Sequence, residues 1–410
     1  MPEQESFIFP SDFLFGAATS SYQVEGNNSH CDWWEWEKRV GLPDTSGEAC
    51  RHYQLFQEDF DLAQSLHHNC HRLSFEWSRI EPQEGFWDEQ AIAHYREVIA
   101  ALRKRGLEPI VTLHHFTNPL WFARIGGWEH LSSVEYYLRY VKKVVEVFAH
   151  DVRYWVTINE PLVYTYHAYL IGAWPPQKRS FSKTKVVTDY LLQAHIKAYT
   201  LIHQIYKNEG MLAPLVSIAH NMQDFVPCSR SFKNVLFSRI RSQLYNFDII
   251  ENLNARKSLD FIGINYYTRA LVDIRGWGMR DFLVKPCSLE HSTLEKNTMG
   301  WDVYPEGLYH LLSKMKKYKL PILILENGIC IDNDVRRWNF IREHLLAISR
   351  ALREGIRVKA YVYWSLLDNF EWDKGFKPRF GLIDVDYKTF ARTVRESARQ
   401  FAVVCQRKRL

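Results

Sequence analysis

Short apolar runs and helical patterns alternate along this chain from end to end, and that alternation leaves few folds open. The apolar runs fall at 13–19, 70–76, 108–115, 153–159, 215–220, 260–267, 322–326 and 358–365. The most apolar of them are continuous rather than alternating in polarity, as in strands buried on both faces of a parallel sheet. Between them, residues 57–68, 88–106, 132–150, 184–208, 305–318 and 336–355 read as helices, and a last helix is expected over 388–404. Asp88 stands where an N-cap belongs and Gly106 where a helix stops; Ser132 or Ser133 serves the next helix as cap. Eight strands alternating with helices predict an α/β fold, a single closed (β/α)8 barrel spanning residues 1–410 as one domain. No linker rich in Pro, Gly or Ser separates two halves. A doubly wound open sheet would want a glycine-rich first turn, which Phe15-Gly16-Ala17-Ala18 does not supply.

Two of the runs end in charge. Residues 321–328 read Pro-Ile-Leu-Ile-Leu-Glu-Asn-Gly, and residues 154–161 read Tyr-Trp-Val-Thr-Ile-Asn-Glu-Pro. A carboxylate at the end of a buried strand is costly unless it is paired or used. A lone Glu there reads as the start of a solvated loop. Two of them, on separate strands of one barrel, can face each other at its mouth. Other polar or aromatic residues gather at or near strand ends: Gln23, Arg72, His114, His115, Asn159, Asn265, Tyr266, Tyr267 and Trp364. Each alone has an ordinary structural explanation, such as a core histidine, an ion-pair partner or a turn former. Together they mark the face on which such barrels carry their sites.

Composition narrows the class. The net charge of +5 is small for 410 residues, and no basic stripe argues for nucleic acid. No apolar run approaches the roughly 18 residues of a membrane span, and no secretory leader is expected from Met-Pro-Glu-Gln-Glu-Ser-Phe. Seven cysteines, scattered and without Cys-x-x-Cys spacing, predict reduced thiols, a cytoplasmic location and no zinc site. His114 and His115 are adjacent on a strand, point to opposite faces and cannot share an ion. No metal and no cofactor is expected. Aromatics make up 15% of the chain, more than core packing asks for, and flat apolar faces suit sugar rings.

Two glutamates without a metal cluster or phosphate loop suit glycoside hydrolysis, in which one carboxylic acid protonates the leaving oxygen and one carboxylate works from the other face. Asn159 can bond a sugar hydroxyl. Arg72 and Tyr267 are placed to hold Glu326 ionised, since a cation and a donor both favour the charged form.

Ordered motifs then carry a resemblance along almost the whole chain. They are Phe-Leu-Phe-Gly-Ala-Ala-Thr-Ser-Ser-Tyr-Gln-Val-Glu-Gly at 13–26, His-Arg-Leu-Ser-Phe-Glu-Trp-Ser-Arg-Ile at 71–80, Thr-Leu-His-His at 112–115 and Thr-Ile-Asn-Glu-Pro at 157–161. Asp-Phe-Ile-Gly-Ile-Asn-Tyr-Tyr-Thr at 260–268, Gly-Trp-Asp-Val-Tyr-Pro-Glu-Gly-Leu at 300–308, Glu-Asn-Gly at 326–328 and Trp-Ser-Leu-Leu-Asp-Asn-Phe-Glu-Trp at 364–372 complete the set. The chain resembles glycoside hydrolase family 1, the β-glucosidase family. That resemblance implies a retaining β-glycosidase with Glu160 as acid/base and Glu326 as nucleophile. It implies hydroxyl contacts from Gln23, His115, Asn159, Glu371 and Trp372, a stacking floor at Trp364, a nucleophile shell of Arg72, Asn265 and Tyr267, and an aromatic wall at Trp301. The expected partners are small β-glycosides or short oligosaccharides, with the oligomeric state left open.

Two departures stand out. The resemblance implies Trp after the histidine of the third strand, and here it is Phe116. Residues 222–258 form a shorter connection than the family uses. Within it residues 238–253 predict one compact helix with Ile240, Leu244, Phe247, Ile250 and Leu253 on its apolar face, and a leaving-group cleft more open on that side. Three rivals remain. A 6-phospho-β-glycosidase would replace Glu371 and place Lys and Tyr where Pro378 and Phe380 stand. A thioglucosidase would have Gln at position 160. A silent carbohydrate-binding relative would lack one carboxylate, and both are present.

Overall fold

The computed structural model describes residues 7–274 and 292–410. Its centre is a closed barrel of eight parallel strands in chain order: β1 (Leu14–Ala18), β2 (Cys70–Ser74), β3 (Glu108–Thr112), β4 (Tyr154–Asn159), β5 (Leu215–Pro227), β6 (Ile262–Val272), β7 (Ile322–Asn327) and β8 (Val358–Trp364). β8 pairs back onto β1, from Leu14 beside Ala360 to Ala18 beside Trp364. The chain is therefore a (β/α)8 barrel, as the alternation of patterns predicts. Ala18, Cys70, Ile110, Val156, Ala219, Leu323, Leu325, Ala360 and Val362 pack with one another as one buried cluster, beneath Trp364, Tyr267 and Trp301. All six residues of β7 are buried, which is why its sequence shows no alternation.

Of the predicted caps, Asp88 works as one and Ser132 does not. The Asp88 carboxylate accepts from the backbone N–H groups of Gln90 and Ala91 at 2.9 and 3.1 Å. Ser132 precedes helix Ser133–Phe148 but makes no side-chain cap bond.

Three regions depart most from the sequence reading. β5 and β6 run beyond the expected 220 and 267, and their pairing continues to Pro227 beside Val272. The last helix is Glu396–Arg407, not 388–404. In the stretch before it the Asp386 carboxylate accepts from the N–H groups of Lys388 and Thr389 to make a turn, and Arg392–Val394 pairs with Ile383–Val385 as a small antiparallel sheet. Buried carboxylates fix that course. Asp59 takes Arg392, and Asp368 takes Arg395.

The third difference lies in the short connection after β5. Its helix starts earlier, as Phe232–Ser242, passes through a π turn at Gln243–Phe247 and continues as Asp248–Ala255. A π turn adds a residue and rotates the helix beyond it. Phe247, Ile250 and Leu253 are buried as expected, but Leu244 is 50% exposed. The neighbouring Tyr245 is turned inward instead and hydrogen-bonds Asn221 at the end of the barrel.

Candidate active site

The carboxyl ends of β4, β6 and β7 bring the two glutamates together. Glu326 lies next to last in β7, with Asn265 of β6 beside it in register. Asn327 locks the strand end, donating to the Tyr266 carbonyl (2.7 Å) and accepting from the Tyr361 hydroxyl (2.9 Å). Gly328 follows because a Cβ there would meet the Trp364 carbonyl oxygen at 1.9 Å. That contact explains the Glu-Asn-Gly order: carboxylate, latch, close approach.

Glu160 follows β4 at φ 45°, a left-handed conformation that costs a non-glycine residue energy and is found at functional sites. Pro161 opens the next helix, and the Glu160 N–H donates to the Ala219 carbonyl at 2.7 Å. The side chain is aimed at the barrel mouth, where Oε1 accepts from Asn265 Nδ2 (2.8 Å) and from Asn221 Nδ2 (3.1 Å).

Glu326 has a different setting. Arg72 Nη1 donates to its Oε1, and the Tyr267 hydroxyl donates to its Oε2 at 2.6 Å. Arg72 is itself fully buried and held by Thr112 Oγ1 (3.1 Å) and Asn159 Oδ1 (2.7 Å). Burial pushes Glu160 up to about 8; the Glu326 charge adds to that, and Asn265, Asn221 and Arg72 oppose it. Burial also pushes Glu326 above the ordinary carboxylate value, against the pull of Arg72 and Tyr267. The sequence reading counts only that pull; burial works against it. The order of the pair follows from contact: Glu326 touches a cation and Glu160 does not.

The remaining residues form one wall. Gln23 Nε2 donates to Asn369 Oδ1 (3.0 Å), to the Phe370 carbonyl (2.9 Å) and to Glu371 Oε2 (3.3 Å). Its buried Oε1 has no hydrogen-bond partner among the described residues, nor has Nδ1 of His115. Asn159 Nδ2 contacts His115 Nε2 at 3.2 Å. The His115 ring lies nearly parallel to both Trp364 (6.0 Å, 20°) and Trp372 (6.1 Å, 15°). Trp301 stands over Tyr267 at 5.8 Å and Phe380 at 6.2 Å. Glu371 is half-buried, and burial with the nearby charges of Glu326 and Glu160 pushes it up to about 8. His114 faces away from His115, onto Asn118 (3.1 Å) and Trp128.

Phe116 packs between Trp174 (5.2 Å) and Trp372 (5.3 Å) and offers no N–H to the cleft. Sequence reasoning misses Asn221 as a site residue. The signal is there, an amide beside His220 at the end of an apolar run, as at Asn159 and Asn265. Tyr245 gives no signal, because its direction depends on the π turn.

A barrel of this topology, with paired glutamates and a wall of aromatic and polar side chains at its mouth, defines a glycoside hydrolase. The chain belongs to glycosyl hydrolase family 1, whose profile matches residues 5–249 and 237–410. Among solved structures it is similar to a β-glycosidase from Pyrococcus horikoshii, at 38% identity over 98% of this chain and 96% of that one, with a TM-score of 0.92. Among characterised sequences it is similar to β-glucosidase A of Thermotoga maritima, 30% identical over 95% of this chain and 96% of the relative. It is also similar to a 6-phospho-β-galactosidase of Clostridium acetobutylicum, 29% identical over 98% of both chains. No helix among the described residues is long and apolar enough to cross a membrane.

Proposed function

We propose that this chain is a retaining β-glycosidase that removes a terminal β-linked sugar, glucose first and its galactose and fucose relatives with it, from small glycosides and short oligosaccharides. The observation that carries the reading is the asymmetry of the two glutamates. Glu326, in contact with Arg72 and Tyr267, is the nucleophile and attacks the anomeric carbon. Glu160, raised to about 8, is protonated at neutral pH and gives its proton to the leaving oxygen. Once Glu326 is glycosylated its charge is gone, Glu160 becomes the stronger acid, and its carboxylate activates the water that releases the sugar. Retention by this route calls for carboxyl groups about 5–5.5 Å apart.

Trp364 serves as the floor under the sugar, with Gln23, His115, Asn159, Glu371 and Trp372 contacting its hydroxyls and Trp301 walling the leaving-group side. The unpartnered Gln23 Oε1 supports that role, since a buried acceptor gains most from a hydroxyl that satisfies it. Five buried cysteines, Cys31, Cys50, Cys70, Cys330 and Cys405, carry no disulfide, which supports a cytoplasmic setting. The phosphorylated-substrate reading is weaker. Phe380 is buried against Tyr267 and Trp301, and Pro378 brings no donor, so neither position offers a phosphate ligand.

The test is turnover of an aryl β-glycoside panel with the product anomer read by NMR. Hydrolysis with retained β configuration is expected, and Glu326→Ala with added azide should return activity with an inverted azide product. Inverted product from the wild-type protein would sink the double-displacement reading. Preference for 6-phosphosugars would sink the substrate assignment.

A further inference from the structure

The short connection between β5 and β6 reaches into the site through a single side chain. The π turn Gln243–Phe247 is fastened to β5 by three bonds, one at His220 and two at Gln223. His220 Nε2 meets the Tyr245 carbonyl (2.8 Å), Asn246 Nδ2 donates to the Gln223 carbonyl (2.8 Å), and the Gln223 N–H donates to Asn246 Oδ1 (3.1 Å). The Tyr245 ring packs edge-on to Phe225 at 5.7 Å. So placed, its hydroxyl donates to Asn221 Oδ1 at 3.0 Å, and Asn221 Nδ2 donates to Glu160 Oε1 at 3.1 Å.

From this chain of bonds we infer that Tyr245 is a positioning residue for the general acid, acting through Asn221 to fix which oxygen of Glu160 carries the proton. The inference rests on the assignment of Glu160 as acid/base. Two amide N–H groups, from Asn221 and Asn265, converge on Oε1. A carboxylic acid accepts through its carbonyl oxygen and donates through its hydroxyl. Oε1 is therefore the acceptor, and the proton sits on Oε2. When Glu160 later acts as base, the same two donors stabilise its carboxylate. The Tyr245 hydroxyl holds the Asn221 amide with its NH2 aimed at Glu160; an inverted amide would lose both bonds as they stand and set its oxygen against a Glu160 oxygen that already accepts from Asn265. The other ionisable groups around Glu160 are Glu326, Arg72, Tyr267 and Glu371. Near Tyr245 itself stand Tyr166 and His220.

The test is the pH dependence of kcat/KM for an aryl β-glucoside with a poor leaving group. Tyr245→Phe keeps the ring and its packing, and a thermal melt reports whether the fold is kept. Donors to a carboxylate lower its pKa, so losing one raises it. The alkaline limb of Tyr245→Phe should move upward by roughly 0.5–1 pH unit, the weight of one hydrogen bond. Asn221→Ala should move the limb the same way, and Tyr245→Phe in the Asn221→Ala background should move it no further. A purely structural tyrosine would lower activity or melting temperature and leave the limb where it is. An unmoved limb in Tyr245→Phe, or fully additive shifts in the double variant, would overturn the relay. Glu160→Gln is the separate control. If the alkaline limb survives in it, the limb reports another group, such as Glu371, and the relay read from it falls. If the limb is lost there but unmoved in Tyr245→Phe, only the relay falls.

Discussion

The ends of β4 and β7 carry the same side chain in the same barrel mouth and treat it differently. At the end of β7 the carboxylate meets a guanidinium and a phenol. After β4 it meets two neutral amides and the field of the other carboxylate. Both glutamates are buried, so burial alone cannot tell acid from nucleophile. The neighbours do, and Arg72 is the decisive one because it touches only Glu326 of the two.

The sharpest way to break this comparison is to remove each carboxylate in turn. Glu326→Ala should lower kcat by roughly a million-fold, the scale seen when a covalent nucleophile is lost. Glu160→Ala should cost about 10²–10⁴-fold with poor leaving groups and far less with good ones, which need little protonation. Rates measured across a series of substituted phenyl glycosides decide it. Equal losses along the series would assign Glu160 some other role.

A milder probe is pH. Activity needs Glu326 ionised and Glu160 protonated, so kcat/KM should rise as Glu326 loses its proton and fall as pH passes about 8. Glu371 titrates in the same range, so the limb belongs to coupled groups until separated. With a dinitrophenyl glycoside, whose departure needs no acid, the alkaline fall should be absent from Glu160→Ala. A limb that persists there belongs to Glu371.

Glu371 itself offers the third test. Glu371→Ser should lower kcat/KM for unphosphorylated glycosides by about 0.5–1.5 kcal/mol per hydrogen bond lost while Glu371 is protonated, and by about 1.5–3 kcal/mol once it is ionised, roughly two- to a hundred-fold. It should not create efficient use of 6-phosphosugars, since the side chains of Pro378 and Phe380 supply no donor. A variant that hydrolysed 6-phosphoglycosides well would show that repulsion by Glu371 alone had excluded them.

How much of this the sequence discloses depends on where physics is local. The continuous run at 322–326 and the Glu-Asn-Gly after it can be read directly, because a strand buried on both faces shows no polar alternation. The Asp88 cap can be read for the same reason, since its partners lie two and three residues away. The outer half of β5 cannot. Past Asn221 only alternate residues are buried, so no apolar run marks it. Residues 388–395 look helical by spacing, but Asp59 and Asp368 pull Arg392 and Arg395 into another course from more than twenty residues away in sequence. The net upward direction of Glu326 is hidden because burial depends on the assembled barrel.

The smallest expected effect concerns the wall beside the leaving group. The connection after β5 supplies the helices Phe232–Ser242 and Asp248–Ala255 with their π turn, and it lays Tyr245 against Asn221. The long arms of β5 and β6, unforeseen in the sequence, run up the same side as far as Pro227 and Val272. Residues 275–291, which come after β6, lie outside the described residues. Some of the polar groups along these arms are engaged within the wall itself. Asn246 is engaged with Gln223, and His310 meets Asp224 at 2.7 Å. A side chain engaged in this way is not free to grip a second or third sugar, and a sugar that finds no hydrogen bonds adds little affinity. We therefore expect kcat/KM for cello-oligosaccharides to rise by less than about threefold per added glucose, under roughly 0.7 kcal/mol each, while bulky aryl leaving groups are accepted with little penalty. Rates measured for the dimer through the pentamer at low substrate concentration settle the matter. A steep rise with length would mean that this side of the cleft is built as a run of sugar sites, and the expectation of an open wall there would have to be given up.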